Sequence, residues 1–320
     1  MKQTIYLAAI NEALREELRR DEKVFVIGEN VQQGTFGTTS GLVQEFGKDR
    51  IMDTSLAETA VAGAAIGAAM SGYRPVADMM FADFLYIAGD EILLKAGKWH
   101  FVHAGKVNVP VVVMAAMGGG MKIGAEHSMC PEALAMHSPG LKLAVPSTPY
   151  DAKGLLKTAI RDDNPVVFFY NKGLLGLPGE IPEEEYLIPF GKADIKREGS
   201  DVTVVAISRM VHLSLEVAEK LKNEISVEVV DPRTLEPLDI DTIIASVQKT
   251  GRCVIVDEDN KRCGVTAEIF AQIVENGFDY LDAPIQRVAA ADTPIAAGFL
   301  EKHVLPQPED IEKAIRKVME

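Results

Sequence analysis

The sequence predicts an α/β protein of two doubly wound domains, on three observations. β-branched runs alternate with helical periodicity from Val24 onward, the alternation stops at Leu174, and it resumes near Asp201. A length of 320 residues with 47% hydrophobic content suits two packed cores better than one.

The elements follow in order. The opening MKQTIYLAAINEALREELRRDEK carries Leu7, Ile10, Leu14 and Leu18 at helical spacing, so it reads as an amphipathic helix. It lacks the pattern of a signal peptide. VFVIG, RPVADMMF, NVPVVVMAA, LKLAVP and PVVFFY then read as strands with helices between most of them, which predicts a parallel sheet covered on both faces. LLGLPGEIPEEEYLIPFGK, with prolines, glycines and a Glu run, has linker composition. Beyond it DVTVVAI, ISVEVVD and RCVIVDE alternate with the helical patterns VHLSLEVAEKLKN and VTAEIFAQIVENG. PEDIEKAIRKVME closes the chain as a helix, with Pro308 suited to its first turn and Lys/Arg in its last, where the helix dipole favours them. The expected limits are a first domain over 1–175, a linker over 176–192 and a second domain over 193–320.

A formal charge of −14 repels phosphate backbones and anionic lipid surfaces, so nucleic acid and membrane are excluded as expected partners. Cys130, Cys253 and Cys263 are odd in number and lack CxxC spacing, which suits reduced thiols in a cytoplasm better than disulfides or zinc. The most apolar stretch, Ala60 to Met70, is mostly Ala and Gly and far below the roughly 20 apolar residues that span a bilayer. A soluble, cytoplasmic protein is expected.

The most informative segment is TSLAETAVAGAAIGAAMSG, residues 54–72. Ala60, Gly63, Ala64, Gly67, Ala68 and Ser71 fall on one face of the predicted helix and are all small, so another backbone is expected to approach it closely. Tight helix packing explains such a face without any chemistry. Glu58, at the helix start, has an equally plain reading as a first-turn acid facing the helix dipole.

The order Glu58, Gly63, Gly67 nevertheless resembles the E-x4-G-x-x-x-G-Q pattern of thiamine-diphosphate enzymes, with Ala68 where that pattern has Gln. The resemblance covers nearly the whole chain. It is to beta subunits of the first components of 2-oxo acid dehydrogenases, the pyruvate, branched-chain and acetoin enzymes. It is carried by IGENV (27–31), FGKDRIMDTSLAE (46–58), FADF (81–84), GAEHS (124–128) and HSPGLKLAVPSTPYDAKGLLKTAIRDDNPVVF (137–168).

The resemblance implies a fold of a transketolase-like pyrimidine-binding domain followed by a transketolase C-terminal-like domain. It implies that Glu58 holds the aminopyrimidine of thiamine diphosphate and relays a proton, that Glu29 lies close to the cofactor, and that Phe81 packs against its ring. Ordinary core packing also accounts for Phe81. Glu29 and Phe81 both follow predicted strands, where open α/β sheets place ligands. His127, in GGGMKIGAEHSM, takes the place of a histidine that orients substrate and protonates the lipoyl sulfur during acyl transfer; His137 is the weaker candidate. The glycine run lacks GxGxxG order and a following Lys-Ser/Thr, so it is no phosphate cradle.

Related subunits bind potassium, which maps to Ala159, Asp162 and Asn164, with Val111 and Val112 opposite; such a site would pin the His127 loop. A D-D-N-P turn capping the preceding helix explains the same residues. The G-D-G…N motif that holds diphosphate and magnesium is absent, Gly89-Asp90 lying in a helical pattern. An alpha subunit in an α2β2 heterotetramer is therefore expected to hold both, with a lipoyl-bearing acyltransferase and a small-molecule substrate as further partners. Met129 for the usual Gln and Tyr170 for the usual Glu leave the substrate open among pyruvate, branched 2-oxo acids and acetoin. Two alternatives remain: the beta part of a split transketolase or deoxyxylulose-phosphate-synthase-like enzyme, and a non-catalytic scaffold subunit.

Overall fold

The computed structural model describes all 320 residues. The first half runs β1 (Lys2–Ile5), α1 (Tyr6–Arg20), β2 (Val24–Glu29), α2 (Leu42–Phe46), β3 (Ile51–Thr54), α3 (Glu58–Met70), β4 (Arg74–Phe81), α4 (Gly97–Val102), β5 (Val112–Met117), α5 (Glu132–Met136), β6 (Lys142–Ala144), α6 (Pro149–Arg161), β7 (Val166–Asn171) and β8 (Pro178–Ile181). The second runs β9 (Asp194–Arg197), β10 (Val202–Ala206), α7 (Arg209–Leu221), β11 (Val227–Asp231), β12 (Thr234–Glu236), α8 (Ile240–Thr250), β13 (Cys253–Asn260), α9 (Val265–Gly277), β14 (Gln286–Ala290) and α10 (Pro308–Met319).

Two main sheets result, as the alternation predicts, beside a two-stranded sheet of β1 and β8. The larger has the order β12-β6-β7-β5-β4-β2-β3 and is parallel except at β12. The smaller has the order β14-β13-β10-β11-β9, with β9 alone antiparallel. The halves interlock, because β12 leaves the second half to pair with β6, and one apolar cluster contains Ile27, Ala77 and Val113 together with Val205, Val230 and Ile255. Burying β-branched side chains on both faces of a parallel sheet supplies most of the driving force.

Two expectations need correction. The N-terminal helix starts only at Tyr6; Lys2–Ile5 form β1, which pairs antiparallel with β8 from Lys2↔Ile181 to Ile5↔Pro178. A four-residue strand is too short to show its period, and its partner lies far along the chain. The Pro/Gly-rich segment is accordingly a tie as well as a connection: Ile188 is buried and Tyr186 stacks on Tyr150 with ring centroids 4.6 Å apart.

Helix α3 has one buried face and one open one. Its buried residues are Val61, Ala62, Ala65, Ile66 and Ala69, which pack on the sheet. Ala60, Ala64, Gly67 and Ser71 are exposed, and a Cβ at Gly67 would meet nothing within 4 Å. Within this chain the face is covered only near Gly63, by the Glu91 side chain, and is open along Ala64, Gly67 and Ser71.

Ion pairs fix α6 across α1. Lys153, Lys157 and Arg161 recur every four residues along α6 and face Glu12, Glu16 and Glu17; Lys153 Nζ lies 2.6 Å from Glu12 and 2.7 Å from Glu16, and Arg161 lies 2.7 Å from Glu17. Lysines this buried persist because their ammonium groups are paired. No helix is long and apolar enough to cross a membrane.

Candidate active site

The C-terminal ends of β4, β2 and β3 lie side by side and form one notch. Glu29 ends β2, Thr54 ends β3, and the turn after Thr54 delivers Glu58 as the first residue of α3. Glu29, Thr54, Leu56, Glu58, Asp78 and Met80 line the notch together. β2 and β4 approach so closely here that a Cβ on Gly28 would collide with the Asp78 carbonyl.

Asp78 is only 9% exposed, and burial pushes its carboxyl up to about 6. Its Oδ1 accepts from the Met80 N–H at 2.9 Å, and Met80 takes a positive φ of 62°. Such backbone in a residue with a side chain is strained and marks sites held in place by their surroundings. The Thr54 hydroxyl is buried without a hydrogen-bond partner. Three carboxyl groups and an unsatisfied hydroxyl suit a flat heteroaromatic ring whose edge carries both donors and acceptors.

The next residue after Met80 begins a second cluster. The Phe81 ring meets Phe36, Phe84 and His127 edge to face, with centroids 5.1, 5.8 and 4.6 Å apart. Tyr170 is fully buried behind Phe36, at 6.5 Å, so it is a core residue on the far side of the cluster.

His127 rides on the loop that leaves β5 at Met117. Lys172 donates to the His127 carbonyl at 2.7 Å and sits 5.6 Å from the Phe81 ring centroid; the Asp83 carboxylate accepts the Met129 N–H at 3.3 Å. Burial lowers the Lys172 pKa and raises that of Asp83. His137 follows α5, is exposed, and lines a separate cleft between the halves.

The structure thus brings Glu29 to Glu58 and Phe81 to His127, with Met80 and Phe81 joining the two groups. It places the potassium candidates elsewhere. Val111 precedes β5 and Val112 opens it, at the edge of the sheet opposite the His127 loop, and the length of β5 puts them about 17 Å from its end. A cation there would not pin that loop. The turn is also already supplied with positive charge: Lys142 pairs with the Asp162 carboxylate, and Arg74 donates to the Ile160 and Asp162 carbonyls at 3.1 and 2.9 Å. Asp162 Oδ1 accepts from both nitrogens of Asn164, the Ala159 carbonyl accepts from the Asp162 N–H, and the Val111 carbonyl accepts from the Val166 N–H. These residues form the capping turn.

Sequence reasoning missed Asp78, Asp83 and Lys172. A signal existed for two of them: Asp83 and Lys172 are charged residues just past the C-terminal ends of β4 and β7, whereas Asp78 lies inside β4.

Comparison with known proteins follows the same division. The transketolase pyrimidine-binding domain profile matches residues 2–178, and the transketolase C-terminal domain profile matches residues 191–311. The chain is 46% identical over 321 residues to a 2-oxoisovalerate dehydrogenase subunit beta of Bacillus subtilis, covering 98% of each chain. It is 45% identical to two further proteins of that organism. One is a pyruvate dehydrogenase E1 component subunit beta, with 100% of each chain covered. The other is an acetoin:2,6-dichlorophenolindophenol oxidoreductase subunit beta, with 95% of this chain and 93% of that one covered. Among solved structures, a split-gene transketolase described as an inactive β4 tetramer superposes with a TM-score of 0.80 at 25% identity, covering 98% of this chain and 97% of that one.

Proposed function

The chain belongs to the family of beta subunits of the pyruvate, 2-oxoisovalerate and acetoin dehydrogenases, built of transketolase-type domains, and from that premise we propose that it forms the aminopyrimidine half of a thiamine-diphosphate site. The observation that carries this reading is the position of Glu58. It lines the notch with Glu29 and Asp78, and it also borders the shallow groove beside the open small-residue face of α3. The site therefore lies where a second chain can close it.

When bound, thiamine diphosphate supplies the nucleophilic carbon that cleaves the bond next to a substrate carbonyl. Glu58 holds and relays a proton at a ring nitrogen of the aminopyrimidine, Glu29 and Thr54 position the ring edge, and Phe81 packs against its face. His127 orients the substrate and serves the last step. There the lipoyl disulfide is the two-electron oxidant: one sulfur takes the acyl carbon, the other leaves as thiolate, and His127 delivers a proton to it.

Residues 1–175 form the pyrimidine-binding domain in this reading, 193–320 the C-terminal one, and 176–192 the connection between them. Magnesium and diphosphate fall to an alpha subunit, because the chain has no G-D-G…N motif. The expected assembly is α2β2, serving a lipoyl-bearing acyltransferase. Three free cysteines fit a reducing cytoplasm. The split-transketolase reading has the weaker support, 25% identity against 45%. The scaffold reading has to explain why Glu29, Glu58, Phe81 and His127 are all present and grouped.

Co-purified with its alpha partner, the chain is expected to turn over at least one of pyruvate, a branched 2-oxo acid or acetoin with an artificial electron acceptor, and to be inactive alone. Activity on sugar phosphates without any lipoyl acceptor would replace the reading with the transketolase one. Potassium remains part of this proposal, held by oxygens of Ala159, Asp162 and Asn164 with Val111 and Val112 opposite, where it would brace the turn beside Lys142 and Arg74. Exchange of potassium for sodium should lower the melting temperature, and an unchanged melt refutes the site.

A further inference from the structure

The glycine run that precedes His127 owes its sequence to the C-terminal half of the chain. Gly118 (φ 80°) faces Asn171 and Glu258 at the ends of β7 and β13, and a Cβ on Gly119 would overlap Leu305. Gly120 (φ 102°) and Lys122 (φ 61°) are both in left-handed backbone, which for a lysine is costly and persists only where its surroundings impose it.

What imposes it is Glu301. This residue is 6% exposed, and one carboxylate oxygen accepts the Gly120 N–H at 2.9 Å while the other accepts the Lys122 N–H at 2.9 Å. Glu301 forms no salt bridge in the chain, so these two main-chain donors, rather than an ion pair, satisfy its buried charge. The same C-terminal segment adds a hydrogen bond from Gly298 N–H to the Lys122 carbonyl at 2.9 Å and an antiparallel bridge between Ile123 and Ala297. From there the loop turns through Gly124 to His127, whose N–H donates to the Gly124 carbonyl at 3.3 Å.

We propose that Glu301 is a positioning residue: through it the C-terminal domain holds the loop that sets His127 against Phe81. The loop is pinned at both ends. Lys172 and Asp83, from the first half, hold its far end at His127 and Met129, and Glu301 holds its near end. A glutamine cannot match this arrangement in place, because each N–H meets its own carboxylate oxygen and the amide puts an NH₂ group where one of those oxygens stands.

The inference rests on the acyl-transfer role given to His127, and the test separates the two. In the holoenzyme with its alpha partner, Glu301→Gln keeps the length of the side chain but offers one acceptor and sets an NH₂ group against the other N–H. Losing one charge-assisted bond and opposing two donors should speed amide exchange over residues 118–124 by about tenfold or more. Acyl transfer to a lipoyl domain should fall by about tenfold, and by more than turnover with an artificial acceptor, which depends only on the substrate-orienting part of the role of His127. In a His127→Ala background, Glu301→Gln should cause no further loss of acyl transfer, which a general packing defect would not reproduce.

Unchanged exchange in both Glu301→Gln and Glu301→Ala overturns the anchor. Faster exchange with intact acyl transfer, in an enzyme that His127→Ala disables, overturns the positioning role. Full acyl transfer in His127→Ala overturns instead the role given to that histidine and leaves the anchor standing.

Discussion

Glu58→Gln in the assembled enzyme is expected to lower turnover by about 10²–10⁴-fold, the range that a positioned proton-transfer group contributes. The amide is nearly the same size and keeps an acceptor oxygen, but it cannot carry the proton between ring nitrogen and carboxylate. Glu58 is half-buried at a helix start and makes no hydrogen bond or ion pair with the rest of the chain, so the fold should be indifferent to the change. The measurement is the initial rate with an artificial electron acceptor, alongside a thermal melt. Wild-type turnover in the variant would remove Glu58 from the chemistry and with it the main support for the cofactor half-site.

Asp78→Asn should change stability in a pH-dependent way. Burial raises the folded-state pKa of Asp78 from 3.8 to about 6. The folded chain therefore holds that proton more tightly than the unfolded chain does. The corresponding stabilisation is complete below pH 4, is lost as pH rises through 6, and is absent above it. A shift of that size corresponds to about 3 kcal/mol. Asparagine never ionises, and its carbonyl oxygen can still accept the Met80 N–H. The isolated variant should therefore gain on the wild type by up to about 3 kcal/mol at pH 8 and show no such gain at pH 4. Urea unfolding at the two pH values decides it, and stability curves that stay parallel across that range would show that Asp78 is not a buried acid. A more stable variant with an impaired enzyme would mark the notch as a place where stability is given up for a charge.

Much of the site was legible because it obeys local rules. Glu29, Phe81 and the turn before Glu58 fall at strand ends, and alternation of β-branched runs with helical periods locates strand ends within a few residues. Lys172 and Asp83 follow strand ends and Asp78 lies inside β4, but none carried a motif, so position alone did not separate them from other polar residues nearby. The potassium candidates lie far from the His127 loop for a spatial reason: Ala159, Asp162 and Asn164 precede β7, Val111 precedes β5 and Val112 opens it, so they gather at the N-terminal edge of the parallel sheet, while the His127 loop lies at the other. Strand β1 escaped because its partner, β8, is remote in sequence.

The sequence alone determined the two-sheet α/β architecture, the helix that begins at Glu58, and the family to which the pattern of Glu58, Gly63 and Gly67 points. These are consequences of short-range periodicity and of backbone preferences that act within a few residues. Only the tertiary structure decided that Glu58 shares a notch with Asp78, that His127 rests on Phe81, that the small-residue face of α3 is open, and that Glu301 reaches across to fix the loop ahead of His127. Gly120 and Glu301 lie 181 residues apart in the chain. Such contacts follow from how two sheets pack and interlock through β12, and no local preference of either residue encodes them.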